Sequence, residues 1–102
     1  MDEQEQIVIN LIVNSGSARS SAIEAIQYAK AGDLAKADES LQQAKETVNE
    51  AHHSQTELIQ AEIRGEKAPL NLLMVHDQDN LMTALVVIDL AQEFIDVYKK
   101  IG

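Results

Sequence analysis

Three histidines and the acids around them are the residues here with obvious chemistry, and they fall in two places. His52 and His53 are adjacent. On a helix they point about 100° apart, so one metal ion cannot take both. Glu50-Ala51-His52-His53 contains one Glu-x-x-His, whereas a carboxylate-bridged di-iron bundle needs two such pairs, and no second is present. His52 falls at the edge of an apolar stripe and reads as a hydrogen-bonded boundary residue; His53 reads as a solvated one. His76 keeps different company. It lies in Val75-His76-Asp77-Gln78-Asp79-Asn80, a polar island inside an otherwise apolar segment. The residues alone leave it open between a structural role and a functional one; as a relay, a neutral imidazole nitrogen would need its other nitrogen held in the right tautomer. There is no cysteine to offer a thiolate, and no Gly-rich loop of the P-loop kind to cradle a nucleotide phosphate.

The elements that must carry these residues follow from sparse punctuation. In 102 residues there are 4 glycines and 1 proline. Gly32-Asp33 reads as a left-handed helix stop followed by an N-cap. Gly65 to Pro69 reads as a second loop, with Pro69 at the first helical position. Three helices are predicted, over about 4–31, 33–64 and 69–100, closing as an all-α antiparallel three-helix bundle in a single domain spanning 1–102. Acidic residues in the first turn and Lys99-Lys100 in the last favour the helix dipoles.

The predicted second helix carries one narrow stripe: Leu34, Ala37, Leu41, Ala44, Val48, Ala51, Gln55, Leu58 and Glu62. The first packs through Ile7, Leu11 and the small residues Ala18, Ala22, Ala25 and Ala29. Asn14-Ser15-Gly16-Ser17 interrupts it and predicts a kink or a close helix contact. The third helix is apolar twice. Leu70, Leu73, Met74, Leu81, Ala84, Leu85 and Ile88 form one face; Leu72, Val75, Met82, Val86, Leu90 and Val97 form the other. A three-helix monomer covers one of these, so the second predicts an oligomer interface of a size that periodicity does not fix. Asp79 sits in the middle of that seam, between Val75 and Met82. A carboxylate on a symmetric seam meets its own copies, and like charges held close repel unless a proton or a cation intervenes. Oxygen ligands would favour a hard divalent ion such as Mg²⁺.

Charge and length exclude several classes. With 8 Lys plus Arg against 17 Asp plus Glu, the formal charge is −9, which argues against a nucleic-acid binder. The longest strictly apolar run, Ala84 to Ile88, is five residues, far short of the roughly 20 that a membrane span needs. The acidic start lacks the positive n-region of a secretory signal. A cytoplasmic protein without direct membrane insertion is the expectation.

The segment His76-Asp77-Gln78-Asp79-Asn80-Leu81-Met82-Thr83 resembles the signature His-x-Gln-Asp-His-Leu-Met-Thr of the lactose/cellobiose-class enzyme IIA components of the bacterial phosphoenolpyruvate-dependent sugar phosphotransferase system. Asn80 stands where that signature has histidine. Ser15-Gly16-Ser17-Ala18-Arg19-Ser20, Gly32-Asp33-Leu34-Ala35-Lys36-Ala37 and Glu50-Ala51-His52-His53-Ser54-Gln55-Thr56 fit the same family in the same order. The resemblance implies a homotrimer in which His76 takes phosphate from the histidine-containing phosphocarrier protein and passes it to a cysteine of the cognate IIB component. It implies uptake of a β-disaccharide, with Asn14 favouring the cellobiose and diacetylchitobiose branch over lactose. It also implies that three Asp79 carboxylates meet on the threefold axis with a divalent metal, for which Mg²⁺ is the expected ion. Mid-helix backbone N–H groups are already spent, so Gln78, Asn80, Thr83 and a neighbouring subunit are the expected phosphate contacts. The alternative is a non-catalytic helical adaptor that uses the same seam for self-association and His76 only for packing.

Overall fold

The computed structural model describes residues 3–66 and 72–102. Helix α1 runs Glu3–Lys30, α2 Leu34–Ile63 and α3 Leu72–Ile101, in a rod of 53 × 20 × 20 Å. The all-α three-helix bundle expected from the punctuation is what forms, but Pro69 and Leu70 lie outside the described residues.

The chain turns where glycine allows it. Gly32 and Gly65 both have φ +89°, a left-handed conformation that side chains with a Cβ rarely adopt. At the first turn Gly32 N–H donates to Ala29 O and Asp33 N–H to Tyr28 O, the paired bonds that close a helix end. Asp33 then caps α2, its side chain accepting from Lys36 N at 3.2 Å. Gly65 and Glu66 close α2 with the same pair, onto Glu62 O and Ala61 O.

Helix directions are fixed by side-chain ties. Lys99 Nζ holds Asp38 at 2.9 Å and Lys45 Nζ donates to Gln92 at 3.1 Å, so α2 falls as α3 rises. Arg19 reaches Asn80, which sets α1 parallel to α3. α1 packs against both partners, and α2 and α3 touch each other least.

The core stripes of α1 and α3 step alternately by three and four residues, and that of α2 does so as far as Ala51. They are Val8, Leu11, Ser15, Ala18, Ala22, Ala25 and Ala29 on α1; Ala37, Leu41, Ala44, Val48, Ala51 and Leu58 on α2; and Met74, Asp77, Leu81, Ala84, Ile88, Ala91 and Ile95 on α3. From Ala18 to Ala29 the α1 stripe is all alanine, and it shares the core with Ala37, Leu41 and Ala44 of α2. α1 runs unbroken through Asn14–Ser17, and a Cβ on Gly16 would meet nothing within 4 Å, so the predicted close contact there is not made within the subunit. On α2, Gln55 is half-buried, Glu62 is exposed and Ala61 is buried instead. That end of α2 turns toward the start of α1, where Ala61 and Glu57 share a recess with Gln4 and Ile7. On α3, Leu73 is half exposed and Leu85 only partly buried, while Asp77, Ala91 and Ile95 complete the inner face.

The second face of α3 is bare within the subunit. Leu72, Val75, Met82, Val86, Leu90 and Val97, all expected there, are exposed, and Phe94 and Ile101 extend the strip. Contiguous apolar surface of this length is what a subunit interface looks like before assembly. Among the described residues, no helix is long and apolar enough to cross a membrane.

Candidate functional site

His76 lies on α3 between the bare apolar face and the flank that meets α1. Its position follows from helix phase. Asn80, one turn on, is rotated only about 40° from it and toward α1; Asp79 is rotated about 60° the other way, onto the bare face. The imidazole is exposed, and the Asn80 amide faces it, with Nδ2 at 3.5 Å from His76 Nε2. Asn80 is in turn held from α1, where Arg19 Nη1 donates to its Oδ1 at 3.3 Å. A half-buried guanidinium and carboxamide thus link α1 to the exposed imidazole on α3.

The remaining predicted residues divide. Gln78, about 200° around the helix from His76, is turned toward α2, where its Oε1 accepts from Gln55 Nε2. Thr83 is exposed on the same side as His76 but two turns further along. Of the three residues expected around phosphate, the single subunit brings Asn80 to His76. His52, expected at the core boundary, is exposed. His53 is exposed as expected, with Nε2 at 3.2 Å from Glu57 Oε1.

The expectation of a divalent ion such as Mg²⁺ on Asp79 is corrected. Among the described residues no group of three or more His, Cys, Asp or Glu is gathered that could hold a metal. The reason is again helix phase. Asp77 and Asp79 are about 200° apart, one fully buried and the other exposed, so α3 offers a lone carboxylate on its outer face rather than a ligand set.

Asp77, a member of the polar island around His76, belongs to the core. It is 0 % exposed, and among the described residues neither carboxylate oxygen has a hydrogen-bond partner. Ser15, equally buried on α1, has an unpartnered hydroxyl. Ser15 is one turn below Arg19 and Asp77 one turn below Asn80, so the two fall at the same level of the bundle. Burial pushes the Asp77 carboxyl above its ordinary value, and the charge of neighbouring His76 offsets part of that rise. The signal was in the spacing: Met74, Asp77 and Leu81 step by three and four, as do Leu11, Ser15 and Ala18.

An exposed histidine nitrogen, faced by an amide that a guanidinium holds, offers a nucleophile on an all-helical frame. Comparison with known proteins identifies the family. The family described as "PTS system, Lactose/Cellobiose specific IIA subunit" matches residues 6–99. The chain is 53 % identical over 100 residues to the lichenan-specific phosphotransferase enzyme IIA component of Bacillus subtilis, covering 98 % of this chain and 91 % of that protein. The crystal structure of the PTS cellobiose-specific enzyme IIA from Bacillus anthracis superposes with a TM-score of 0.94 at 58 % identity, covering 99 % of this chain and 93 % of that one. A solution structure of the IIA(Chitobiose)–HPr complex of the Escherichia coli N,N′-diacetylchitobiose branch gives 0.84 at 40 % identity, covering 99 % and 98 %. The chain belongs to the lactose/cellobiose-specific IIA family of the phosphotransferase system. It is a phosphotransfer component, and the adaptor reading falls away.

Proposed function

We propose that His76 is the residue that carries the phosphoryl group. The observation that carries this reading is that His76 stands exposed on α3 with Nε2 facing the Asn80 amide, while His52 and His53 lie elsewhere and have no such neighbour. The donor is the histidine-containing phosphocarrier protein and the acceptor is a cysteine of the cognate IIB component. The cargo is a β-disaccharide of the cellobiose or chitobiose kind rather than lactose; similarity to lichenan-, cellobiose- and diacetylchitobiose-specific relatives supports this branch. Residues 1–102 act as a single domain of this type.

Phosphoryl transfer between two such proteins asks for little covalent work beyond a positioned nucleophile and charge stabilisation. The lone pair of His76 Nε2 forms the new P–N bond as the donor's P–N bond breaks and its electron pair returns to the donor ring. Each ring keeps the proton on its other nitrogen, so no base is required. Asn80 Nδ2 then faces a phosphate oxygen instead of a bare ring nitrogen. Gln78 and Thr83 are the further phosphate contacts. Since Gln78 reaches α2 and Thr83 lies two turns away within one subunit, they serve across a subunit boundary.

The working unit in this reading is a homotrimer joined through the outer face of α3. The strip from Leu72 to Ile101 supports it, being long, apolar and uncovered in one subunit. Incubation with the phosphoenolpyruvate-dependent relay proteins, followed by intact-mass analysis, tests the assignment. Wild type should gain one acid-labile phosphate per chain, His76→Ala none, and His53→Ala the full amount. Uptake of phosphate by His76→Ala would overturn it.

A further inference from the structure

Arg19 belongs to α1, and no part of the relay chemistry above requires it. It is nonetheless tied to the reacting ring through one intermediary, by the contacts from Nη1 to Asn80 Oδ1 at 3.3 Å and from Asn80 Nδ2 to His76 Nε2 at 3.5 Å. We propose that Arg19 is a positioning residue for the relay: by holding the oxygen of the Asn80 carboxamide, it turns the amide nitrogen toward His76 and selects the neutral imidazole whose Nε2 is bare. The proposal rests on His76 being the phosphoryl acceptor.

Donors and acceptors decide which end of the Asn80 amide faces the ring. A guanidinium has five N–H donors and no acceptor, so it can engage only the oxygen of Asn80. With that oxygen taken, the –NH₂ group is what faces the imidazole. An amide –NH₂ can donate to Nε2 only while that nitrogen carries a lone pair, which places the ring proton on Nδ1. Released from Arg19, the amide could turn and present its oxygen. It would then accept from Nε2–H and favour the tautomer whose Nε2 is capped by hydrogen and cannot attack phosphorus. Arg19 thus acts on the population of the reactive tautomer without touching the ring.

There is a second contribution of the same sign. The chain carries a net charge of −9, and a phosphoryl group adds further negative charge at His76. A half-buried guanidinium one residue away stabilises that charge as it arrives, in a setting less screened than open solvent.

The test compares Arg19→Met, which keeps the stem and removes every donor, with Arg19→Lys, which restores a donor-only cation. Imidazole ¹⁵N shifts of His76 at a pH where the ring is neutral read the tautomer directly and need no phosphate. Arg19→Met should lower the share with bare Nε2 and slow phosphorylation by the phosphocarrier about tenfold. Arg19→Lys should recover most of both. In an Asn80→Ala background, Arg19→Met should lose most of its effect, because the intermediary is gone. An unchanged tautomer ratio in Arg19→Met, or full additivity with Asn80→Ala, would overturn the proposal. If wild type took no phosphate on His76, the acceptor assignment would fall on that result alone, while the ¹⁵N ratios would still decide what Arg19 does to the ring.

Discussion

Asp77 and Asp79 are the same residue type, two positions apart in one polar island, and the helix gives them opposite surroundings. Asp77 is sealed in the core between Met74 and Leu81, without a hydrogen-bond partner for either oxygen among the described residues. Asp79 stands among Val75, Met82 and Val86 on the bare face. Rotation of about 200° between alternate residues separates them. The inner carboxylate sets its cost against the stability of the subunit. The outer one sets its cost against whatever covers α3. One short stretch therefore faces both the core of the subunit and the bare apolar strip of α3, with His76 at the boundary between the two faces.

The largest effect should come from the inner face. Leu81 is fully buried, and Leu81→Ala should cost about 2–5 kcal/mol of subunit stability, read as a lowered denaturant midpoint. A loss under 1 kcal/mol would mean that this face is not the main core of α3.

Next comes the outer face. Val86 is 57 % exposed in the subunit, so Val86→Asp should leave helicity intact yet shift the solution mass toward monomer. Burying such a side chain contributes about 1.5–3 kcal/mol per copy, which the substitution removes and replaces with a desolvated charge. A wild type that sediments as a monomer at micromolar concentration would remove the outer half of the comparison.

Asp77→Asn should make stability less sensitive to a rise from acid to neutral pH, because it removes the carboxyl group whose charged form burial disfavours. The sign follows from linkage. With its folded-state value raised, Asp77 favours the native state fully only below the ordinary carboxylate range, near 3.9, and the advantage is lost as pH rises through the folded value. Melting curves of both proteins should therefore diverge on going from acid to neutral pH. A gap that does not change with pH would mean that Asp77 has found a partner.

The smallest effect is expected from Asp79→Leu. Placing leucine on the bare face removes like-charge repulsion between copies and should raise the assembly's melting temperature by a few degrees, the shift that ~1 kcal/mol produces in a domain this size. Phosphorylation should persist, because the substitution is on the other side of His76 from Asn80. A variant that dissociates would show that Asp79 makes a favourable contact across the interface.

Much of this was determined by the sequence alone. Two glycines with φ +89° divide the chain, and their left-handed conformation has a residue-type signature, so helix number and turn positions were legible. So was the doubled apolar pattern of α3, because periodicity of 3.6 is a property of the chain itself. The placement of Asp77 was legible in principle from its three–four spacing, but an acid at a core position is rare enough to be read as surface. Which side chains meet across helices, by contrast, is set by packing in three dimensions. Arg19 and Asn80 are 61 residues apart, and their contact depends on the parallel register of α1 and α3. Gln78, expected at His76, is held by Gln55 on α2 for the same reason. The idea of a metal on Asp79 failed on geometry of this kind, since a ligand set must converge in space. Local rules act through the chain's own dihedrals and are written in sequence order. Pairings between helices depend on how rigid rods slide and rotate against one another, and a shift of one residue there changes every partner.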